Sequence, residues 1–491
     1  MTRTKAAAGL AHRGQAAAAI RARPAFVGRA LIKQPPVLAV LVGAPGLAAL
    51  AEGERPLAAA LLLPTILLTA LGLWARRFET DADLRRSEAV ATLALIFVLS
   101  TLLAMPAFMV LGLAPHDALF EAASGITTTG LSVARDAESW PISAHVLRAW
   151  MQWCGGVAIA VAGVALLMDS SRAAQVLGKQ SVGGTDYHAS TRAKARLVLT
   201  GYAAITVVGV LLSIPLFPGW WEGPVVALAA VSTGGFSPRD SSLADYGRPA
   251  QILTLTLCVT TSVSLLFWAV AAKLGPRAAL RRGTVRTTLG IMALGSVAYV
   301  LGHGLLHGWQ TQALVSGLLN QLSAQTTAGF STAPLLPFSP LMLLLIVLMA
   351  LGGDVGATTG GIKTARISVL WRMVALVFLR LRLPDRAISH LKIGTKRADA
   401  EAILFSAALL AIYLVSALIL WAALHAAGHP ALPALFDAVS ALSGVGLSAG
   451  VIGPDLAPGL KLLAAFAMLL GRLEFFVLIA LLLPSTWFSR R

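Results

Sequence analysis

The stretch Ile126–Ser132 has the sequence ITTTGLS, and three similar stretches follow it along the chain. They are VSTGGFS at 231–237, QTTAGFS at 325–331 and a weaker copy, SGVGLS, at 443–448. Each is a short, polar, glycine-bearing tract within an otherwise apolar chain. Alignment on one glycine per tract gives separations of 104, 95 and 117 residues between Gly130, Gly234, Gly329 and Gly446. Such spacing indicates an internal repeat of about one hundred residues.

The chain around these tracts has the composition of a membrane protein. Of its 491 residues, 57% are hydrophobic and only 12% are charged, which leaves too little polar surface for a soluble globular protein. Apolar runs long enough to cross a bilayer, roughly 20 residues each, predict about ten membrane crossings. The runs lie near 36–52, 56–75, 90–115, 144–169, 196–217, 249–272, 288–308, 339–380 with an interruption, 401–427 and 459–484.

The positive charges lie between the apolar runs. The net charge is +17, and its position in the loops favours membrane orientation over binding of nucleic acid. The basic segments are alternate loops, so the positive-inside rule places all of them in the cytoplasm. The N-terminal segment also has the composition of a mitochondrial transit peptide, but we interpret it as a cytoplasmic tail because the charge rule already explains it. The basic segments are 1–33, 76–86, 172–196, 273–286 and 363–397.

Each repeat has the same order of segments: a long apolar span, a short apolar segment, the Thr/Gly tract and a second long span. A helix of about 11 residues rises only about 16 Å, too short for a hydrocarbon core of about 30 Å. Each short segment must therefore enter the membrane and return, which makes the four units parallel repeats around an axis along the membrane normal. The short segments are 115–126, 222–231, 312–325 and 432–442.

The tracts lie at membrane depth, where irregular backbone exposed to lipid leaves its peptide groups unpaired. Four tracts that face one axis present rings of carbonyl and hydroxyl oxygens, which replace the hydration shell of a monovalent cation. Glycine accepts the positive φ angles that turn successive carbonyls towards that axis. The alternative for any single tract is a helix-capping turn at the bilayer interface, but four tracts in register favour a selectivity filter. The candidate filter residues are Thr128, Thr129, Gly130, Ser232, Thr233, Gly234, Thr327, Ala328, Gly329, Gly444, Val445 and Gly446.

Two polar features interrupt the later apolar spans. The segment Gly352–Gly361, GGDVGATTGG, has five glycines in ten residues, too many for a stable helix, so it predicts a loop at membrane depth. Arg472 lies in an apolar run from Leu462 to Leu483, where a central arginine costs about 2.5–3.5 kcal/mol and must face a cavity or a partner. The alternatives are a plain hinge or tight helix crossing for the glycines, and a snorkelling or helix-tying role for the arginine.

The motifs resemble those of the Trk/Ktr/HKT superfamily of potassium transporters, in particular the bacterial Trk/Ktr membrane subunit, over residues 88–485. The resemblance implies an all-α integral membrane fold with four parallel helix–pore-helix–helix repeats around a pseudo-fourfold central pore. The first two spans are similar to the two extra N-terminal transmembrane helices of the Trk branch. The matching stretches are EAASGITTTGLS (121–132), RAWMQWCGG (148–156), AAVSTGGFSPRDSS (229–242), SAQTTAGFSTAP (323–334), LGGDVGATTGGIKTAR (351–366) and LLGRLEFFVLIALLLP (469–484).

We therefore divide the chain into a basic tail, an N-terminal helix pair and four pore repeats, the third with a broken second helix. The corresponding ranges are 1–35 for the tail, 36–87 for the helix pair, and 88–170, 171–273, 274–397 and 398–491 for the repeats.

The resemblance also implies roles for these residues. A glycine in each filter tract implies potassium as the transported ion, without a covalently bound cofactor. The glycine-rich loop is expected below the filter as a gate, with Arg472 as a positive barrier in the pore. The candidate gate residues are Gly352, Gly353, Asp354, Gly356, Gly360, Gly361, Lys363 and Arg472.

Three further charged residues carry hypotheses. Asp354 stands where the family has a small uncharged residue, and we hypothesise that it pairs with Lys363 or Arg472; the alternative is a solvated loop carboxylate. Arg148 and Glu121 lie near the outer ends of pore elements and are expected to brace the filter from behind. For Glu121 a second hypothesis is that it concentrates cations at the mouth.

The predicted function is potassium uptake by a multi-pass protein of the cell inner membrane. The alternative is a less selective Na⁺/K⁺ transporter, or a potassium symporter coupled to H⁺ or Na⁺. Inverted repeats with midplane acids would indicate another class of secondary transporter, and an enzyme would need a nucleophile, an acid/base pair or a metal cluster. The sequence indicates neither. Membrane lipids, a homodimer partner and a cytoplasmic nucleotide-binding regulatory subunit are the implied partners, and nucleic acid is not.

Overall fold

The computed structural model describes residues 22–77, 86–163, 191–280, 284–335, 338–382, 392–393, 396–397 and 400–487. Most of the predicted cytoplasmic segments 1–33, 76–86 and 172–196 lies outside these residues.

The N-terminal part forms a short helix and a hairpin of two long helices. The helices are α1 (Pro24–Ile32), α2 (Pro35–Glu52) and α3 (Arg55–Ala75). Gly53, with a φ of 89°, makes the turn between α2 and α3. Small residues let these two helices approach closely, since a Cβ atom built on Gly72 would lie 2.9 Å from the Pro36 ring. The predicted spans 36–52 and 56–75 are confirmed.

The first two repeats follow the predicted order of span, short helix, tract and second span. Repeat 1 contains α4 (Arg86–Val110), α5 (Pro115–Ile126) and α6 (Ile142–Ala162). Repeat 2 contains α7 (Thr191–Ser213), a 3₁₀ turn (Ile214–Leu216), α8 (Glu222–Val231), α9 (Arg248–Ser262) and α10 (Leu265–Leu274).

The third and fourth repeats have the same order with more interruptions. Repeat 3 contains α11 (Pro276–Leu280), α12 (Val285–His307), α13 (Thr311–Gln325), α14 (Pro340–Leu351) and α15 (Thr364–Arg380). Two short strands, β1 (Lys392–Ile393) and β2 (Lys396–Arg397), pair antiparallel and were not predicted. Repeat 4 contains α16 (Ala400–Ala426), α17 (Ala431–Ser443), α18 (Pro458–Arg472), α19 (Phe476–Leu482) and α20 (Pro484–Trp487).

The four short helices α5, α8, α13 and α17 are confirmed, with lengths of 12, 10, 15 and 13 residues. They form the buried centre of the molecule, where large side chains such as Phe120 and Phe436 are inaccessible to solvent. The long first spans carry exposed apolar residues instead, for example Leu305 on α12 and Leu418 on α16. This arrangement is that of an all-α membrane protein with its short helices inside a shell of long ones.

Within the described residues, six helices are long and apolar enough to cross a membrane, and one bent pair makes a seventh. Of the ten predicted spans, 144–169, 339–380 and 459–484 are not among these seven; in the described residues they correspond to α6, to α14 with α15, and to α18 with α19. The uninterrupted span at 249–272 is wrong, since α9 and α10 meet at an angle of 85°. The span at 459–484 is also broken, because Glu474 and Phe475 adopt positive φ angles of 54° and 58°.

Candidate functional site

The four tracts share one backbone conformation. In the first three tracts the second residue after the short helix has a positive φ, with values of 54°, 52° and 53° at Thr128, Thr233 and Thr327. In the fourth tract α17 ends one residue later, so the equivalent Gly444, with a φ of 62°, is the first residue after the helix. Positive φ is uncommon for residues other than glycine, so its recurrence shows that the tracts are built alike. Two residues later each tract has a glycine with a φ between 77° and 98°, namely Gly130, Gly235, Gly329 and Gly446; we call these the ring glycines.

The tracts close into a ring. A Cβ atom built on any ring glycine would overlap the carbonyl oxygen of a residue in the next tract. Backbone therefore contacts backbone at four points, and only glycine permits this approach. The contacts join Gly130 to Gly234, Gly235 to Ala328, Gly329 to Val445 and Gly446 to Thr129. We call the carbonyls of Thr129, Gly234, Ala328 and Val445 the ring carbonyls.

The ring corrects the register predicted for the second tract. Gly235, and not Gly234, has the positive φ and the contact with the next tract. The equivalent triplet in this tract is thus 233–235, whereas Ser232 is the C-cap of α8, like Thr127 after α5. The sequence alone indicates this register, because the Leu-Ser or Phe-Ser pair that ends each tract directly follows the ring glycine, which is Gly235 in the second tract.

Buried polar side chains on three of the short helices hold the backbone that follows the ring. Glu121 Oε1 accepts a hydrogen bond from Val133 N at 2.7 Å. Asn320 Oδ1 accepts from Thr332 N at 2.7 Å, and Asp437 Oδ1 accepts from Ala449 N at 2.6 Å. All three lie nine residues before their ring glycine. Of the three, only Glu121 was predicted to brace the filter, although this common spacing identifies Asn320 and Asp437 as well.

The glycine-rich loop 352–361 joins α14 to α15, as predicted, and lies directly against the tracts. Gly360 N donates to Thr327 Oγ1 at 2.8 Å, and Gly361 N donates to Ser443 O at 3.1 Å. Thr358 Oγ1 lies 3.4 Å from Val231 O at the end of α8. The loop thus contacts the second, third and fourth tracts or the helix ends that precede them.

Comparison with known proteins fits this geometry. Residues 63–266 and 296–490 match the model of the TrkH family, described as a cation transport protein. The chain belongs to the TrkH family. A Trk system potassium uptake protein TrkH from Halomonas elongata is 30% identical over 405 residues, 76% of this chain and 80% of that protein. An uncharacterized cation transporter from Methanocaldococcus jannaschii is 25% identical over 84% of this chain and 86% of its own length.

The fold of this TrkH-family chain is similar to a solved structure. The crystal structure of the potassium transporter TrkH from Vibrio parahaemolyticus matches with a TM-score of 0.81 at 24% identity. The match covers 94% of this chain and 99% of that one.

Two cationic side chains of the TrkH-family chain bind the glycine-rich loop from within. Arg472 is 3% exposed, and its Nη1 donates to Thr358 O at 2.7 Å. Its Nε and Nη2 have no hydrogen-bond partner among the described residues. Lys363, with a φ of 80°, donates through Nζ to Thr359 O. Arg472 ends α18 and does not lie at the centre of a helix, which corrects the prediction.

Asp354 does not pair with either cation. Within the described residues its carboxylate forms no ion pair with Lys363 or Arg472, although Lys363 is close enough for a Coulomb interaction with it. The carboxylate instead accepts hydrogen bonds from Thr284 Oγ1 and, at 2.8 Å, from Val355 N. Thr284 is the N-cap residue of α12, so Asp354 ties the loop to the start of that helix. The predicted pairing is therefore wrong, and so is a solvated carboxylate, because Asp354 is buried.

Arg148 and Glu121 lie behind the ring as an ion pair, with Arg148 Nη2 3.6 Å from Glu121 Oε2. The Arg148 guanidinium also lies 3.9 Å from the centre of the Phe236 ring, directly after the second tract. Glu121 is inaccessible to solvent, so its carboxylate is not directly exposed to ions at the mouth, and the hypothesis that its charge concentrates cations there stays a prediction.

The loops that follow the first and second tracts carry solvent-accessible acids, among them Asp136, Glu138 and Asp240. Burial raises the pKa of Asp240, and the carboxylates of Asp136 and Glu138 act in the same direction.

Within the described part of the chain, no three His, Cys, Asp or Glu side chains are grouped closely enough to hold a metal ion. The oxygen ligands that the site offers to a cation are backbone carbonyls and threonine hydroxyls.

Proposed function

We propose that this chain is the membrane subunit of a potassium uptake system and that K⁺ crosses the cell inner membrane through the ring. One observation carries the proposal: four ring glycines each contact a ring carbonyl of the next tract, so that one chain encloses a single axis with backbone oxygens. Relatives named Trk system potassium uptake protein support the choice of ion.

The ring suits a large, weakly hydrated cation. Carbonyl oxygens replace water around K⁺ without adding formal charge. The Thr128 hydroxyl is buried and has no hydrogen-bond partner among the described residues, which leaves it available to a ligand on the axis. In this proposal the filter residues are 128–130, 233–235, 327–329 and 444–446.

The glycine-rich loop serves as the gate in this proposal. It is bonded to the ends of the tracts and held by Arg472 and Lys363. An ion that has passed the ring next meets this loop and the two cations, so transport requires the loop to move. A gate of this kind requires regulation, and the predicted homodimer and cytoplasmic nucleotide-binding subunit fit that requirement. Both stay predictions.

Growth rescue tests the function. The chain is expressed in a bacterium that lacks its own potassium uptake systems, and growth is followed at low potassium. The parent chain is expected to restore growth, whereas Gly130→Ser is expected to lower potassium uptake and raise sodium uptake, because its side chain overlaps the Gly234 carbonyl. Gly290→Ser is the matched control, since nothing lies within 4 Å of a Cβ atom at that exposed position of α12. Absence of rescue by a parent chain present in the membrane would refute potassium uptake.

A further inference from the structure

The second tract differs from the other three at the residue before its ring glycine. That residue is Gly234, whereas the equivalent positions hold Thr129, Ala328 and Val445. A Cβ atom on Gly234 would overlap the side chain of Gln152. Gly234 is therefore a glycine for a separate reason: it makes room for a side chain that comes from repeat 1.

Gln152 lies on α6 and is inaccessible to solvent. Its Nε2 donates to the ring carbonyl of Gly234 at 2.6 Å. Its Oε1 accepts from Phe236 N at 3.2 Å. The amide thus holds the backbone on both sides of Gly235, and neither of its polar atoms is left without a partner.

The equivalent positions in the other repeats carry no amide side chain. Gln152 lies 22 residues after its ring glycine. The same count in repeats 2, 3 and 4 leads to Leu257, Leu351 and Met468. None of these side chains contains an amide group that donates a hydrogen bond.

The second tract also lacks the support that its own short helix would give. Nine residues before Gly235 stands Val226, where the other repeats have Glu121, Asn320 and Asp437. Repeat 1 supplies the missing hydrogen bonds through Gln152. The second tract is consequently held by a side chain from another repeat. One of the four ring carbonyls, that of Gly234, accepts a hydrogen bond from the side-chain amide of Gln152.

We propose that Gln152 is a positioning residue that sets the ion selectivity of the ring, an inference that rests on the proposed function. The N–H donor occupies part of the lone-pair density of the Gly234 oxygen, which makes this oxygen a weaker ligand than the other three. A weaker field favours the larger alkali cation, because the smaller one demands more compensation for its lost water. Gln152 thereby raises the preference of the ring for K⁺ over Na⁺.

The experiment measures K⁺ against Na⁺ permeation of the full chain in liposomes, from reversal potentials with one cation on each side. Gln152→Leu and Gln152→Met remove the amide. Gln152→Glu keeps an acceptor for Phe236 N and, when ionised, replaces the donor to Gly234 O with an oxygen that repels this carbonyl. Each variant is expected to lower the K⁺/Na⁺ permeability ratio by about fivefold, the factor that one net hydrogen bond corresponds to.

Gln251→Leu is the matched control. Gln251 is buried on α9 and donates to Leu243 O and Tyr246 O, outside the ring. Its loss is expected to lower the amount of folded protein without changing the permeability ratio. If Gln152→Leu does not fold, the longer side chains of Gln152→Met and Gln152→Glu provide the same comparison.

Two results overturn the inference: a folded Gln152 variant with the parent's permeability ratio, or an equal change in Gln251→Leu. Both require a parent chain that conducts K⁺. A parent that conducts no K⁺ would instead refute the proposed function, and with it the basis of this inference, so the two failures are distinguishable.

Discussion

At the scale of single residues, glycine has two different tasks in the ring. Gly329 has a φ of 77° and touches the carbonyl of the next tract, so both its conformation and its neighbours exclude a side chain. Gly234 has an ordinary φ and is small only because Gln152 occupies the adjacent space. A sequence alignment treats the two alike, and this is why the predicted register slipped by one residue in the second tract.

The ring glycines give the first prediction. Gly329→Ala is expected to abolish potassium uptake, because the positive φ costs an L-residue roughly 1–2 kcal/mol and the methyl group overlaps the Val445 carbonyl. Uptake of a tracer such as Rb⁺ by intact cells measures the loss. Gly290→Ala, in open space on α12, should match the parent. Parental uptake in Gly329→Ala would contradict the close contact between the third and fourth tracts.

At the scale of the helices and loops, the sequence predicted the short helices well and the broken ones poorly. Helices α5 and α8 have the predicted bounds because their length and their flanking spans are properties of local sequence. The break between α9 and α10 depends on a distant partner: Asp354 N donates to Ser262 O at 3.0 Å, and Leu265 N donates to Gly356 O at 3.2 Å. Average hydropathy across such a break still resembles one span, so sequence alone does not reveal it.

The second prediction concerns the tie between Arg472 and the loop. Arg472→Ala removes the hydrogen bond to Thr358 O and a buried charge, and is expected to raise cation flux by about tenfold, since a hydrogen bond to a charged group contributes about 1.5–3 kcal/mol. Flux through reconstituted protein measures the effect. Arg472→Lys keeps the charge and should fall between alanine and the parent. A folded alanine variant with unchanged or lower flux would contradict both the tie and the barrier.

The third prediction concerns the tie between Asp354 and Thr284. Asp354→Ala and Thr284→Val each remove the same hydrogen bond and should each raise flux, by up to about tenfold. The double variant should do no more than Asp354→Ala alone, because that substitution already removes the contact with Thr284 and residues that share one contact are not additive. Thr256→Val is the control, since its hydroxyl bonds only within α9. Additive effects would show that the two side chains act independently.

At the scale of the whole molecule, repeats 1 and 4 are joined by a buried ion pair in addition to the ring contact between Gly446 and Thr129. Lys461 on α18 is buried, and its Nζ lies 2.6 Å from Asp117 Oδ1 at the start of α5. Nζ also donates to Pro454 O at 2.7 Å. Repeats 1 and 4 are not consecutive in the chain, so noncovalent contacts such as this ion pair join them, whereas consecutive repeats are joined covalently. The pairing joins residues 344 positions apart, a separation at which sequence patterns gave no indication of it.

The fourth prediction tests this ion pair. Asp117→Asn leaves a buried lysine unpaired and is expected to lower the free energy of unfolding by about 1–3 kcal/mol, less than for a fully enclosed pair because Asp117 is partly exposed. Thermal unfolding in detergent measures the loss, and Lys461→Met should restore part of it in the double variant. The control is Arg135→Met: its partner Asp455 also joins repeats 1 and 4, but both side chains are exposed. A control loss equal to that of Asp117→Asn would contradict the special weight of the buried pair.

Because all four tracts lie in one polypeptide, each quadrant is encoded separately. A channel assembled from four identical subunits repeats every substitution four times and can change its filter only in unison. In this chain a single substitution alters one of the four tracts and leaves the other three intact. Evolution can therefore adjust the ion preference one tract at a time.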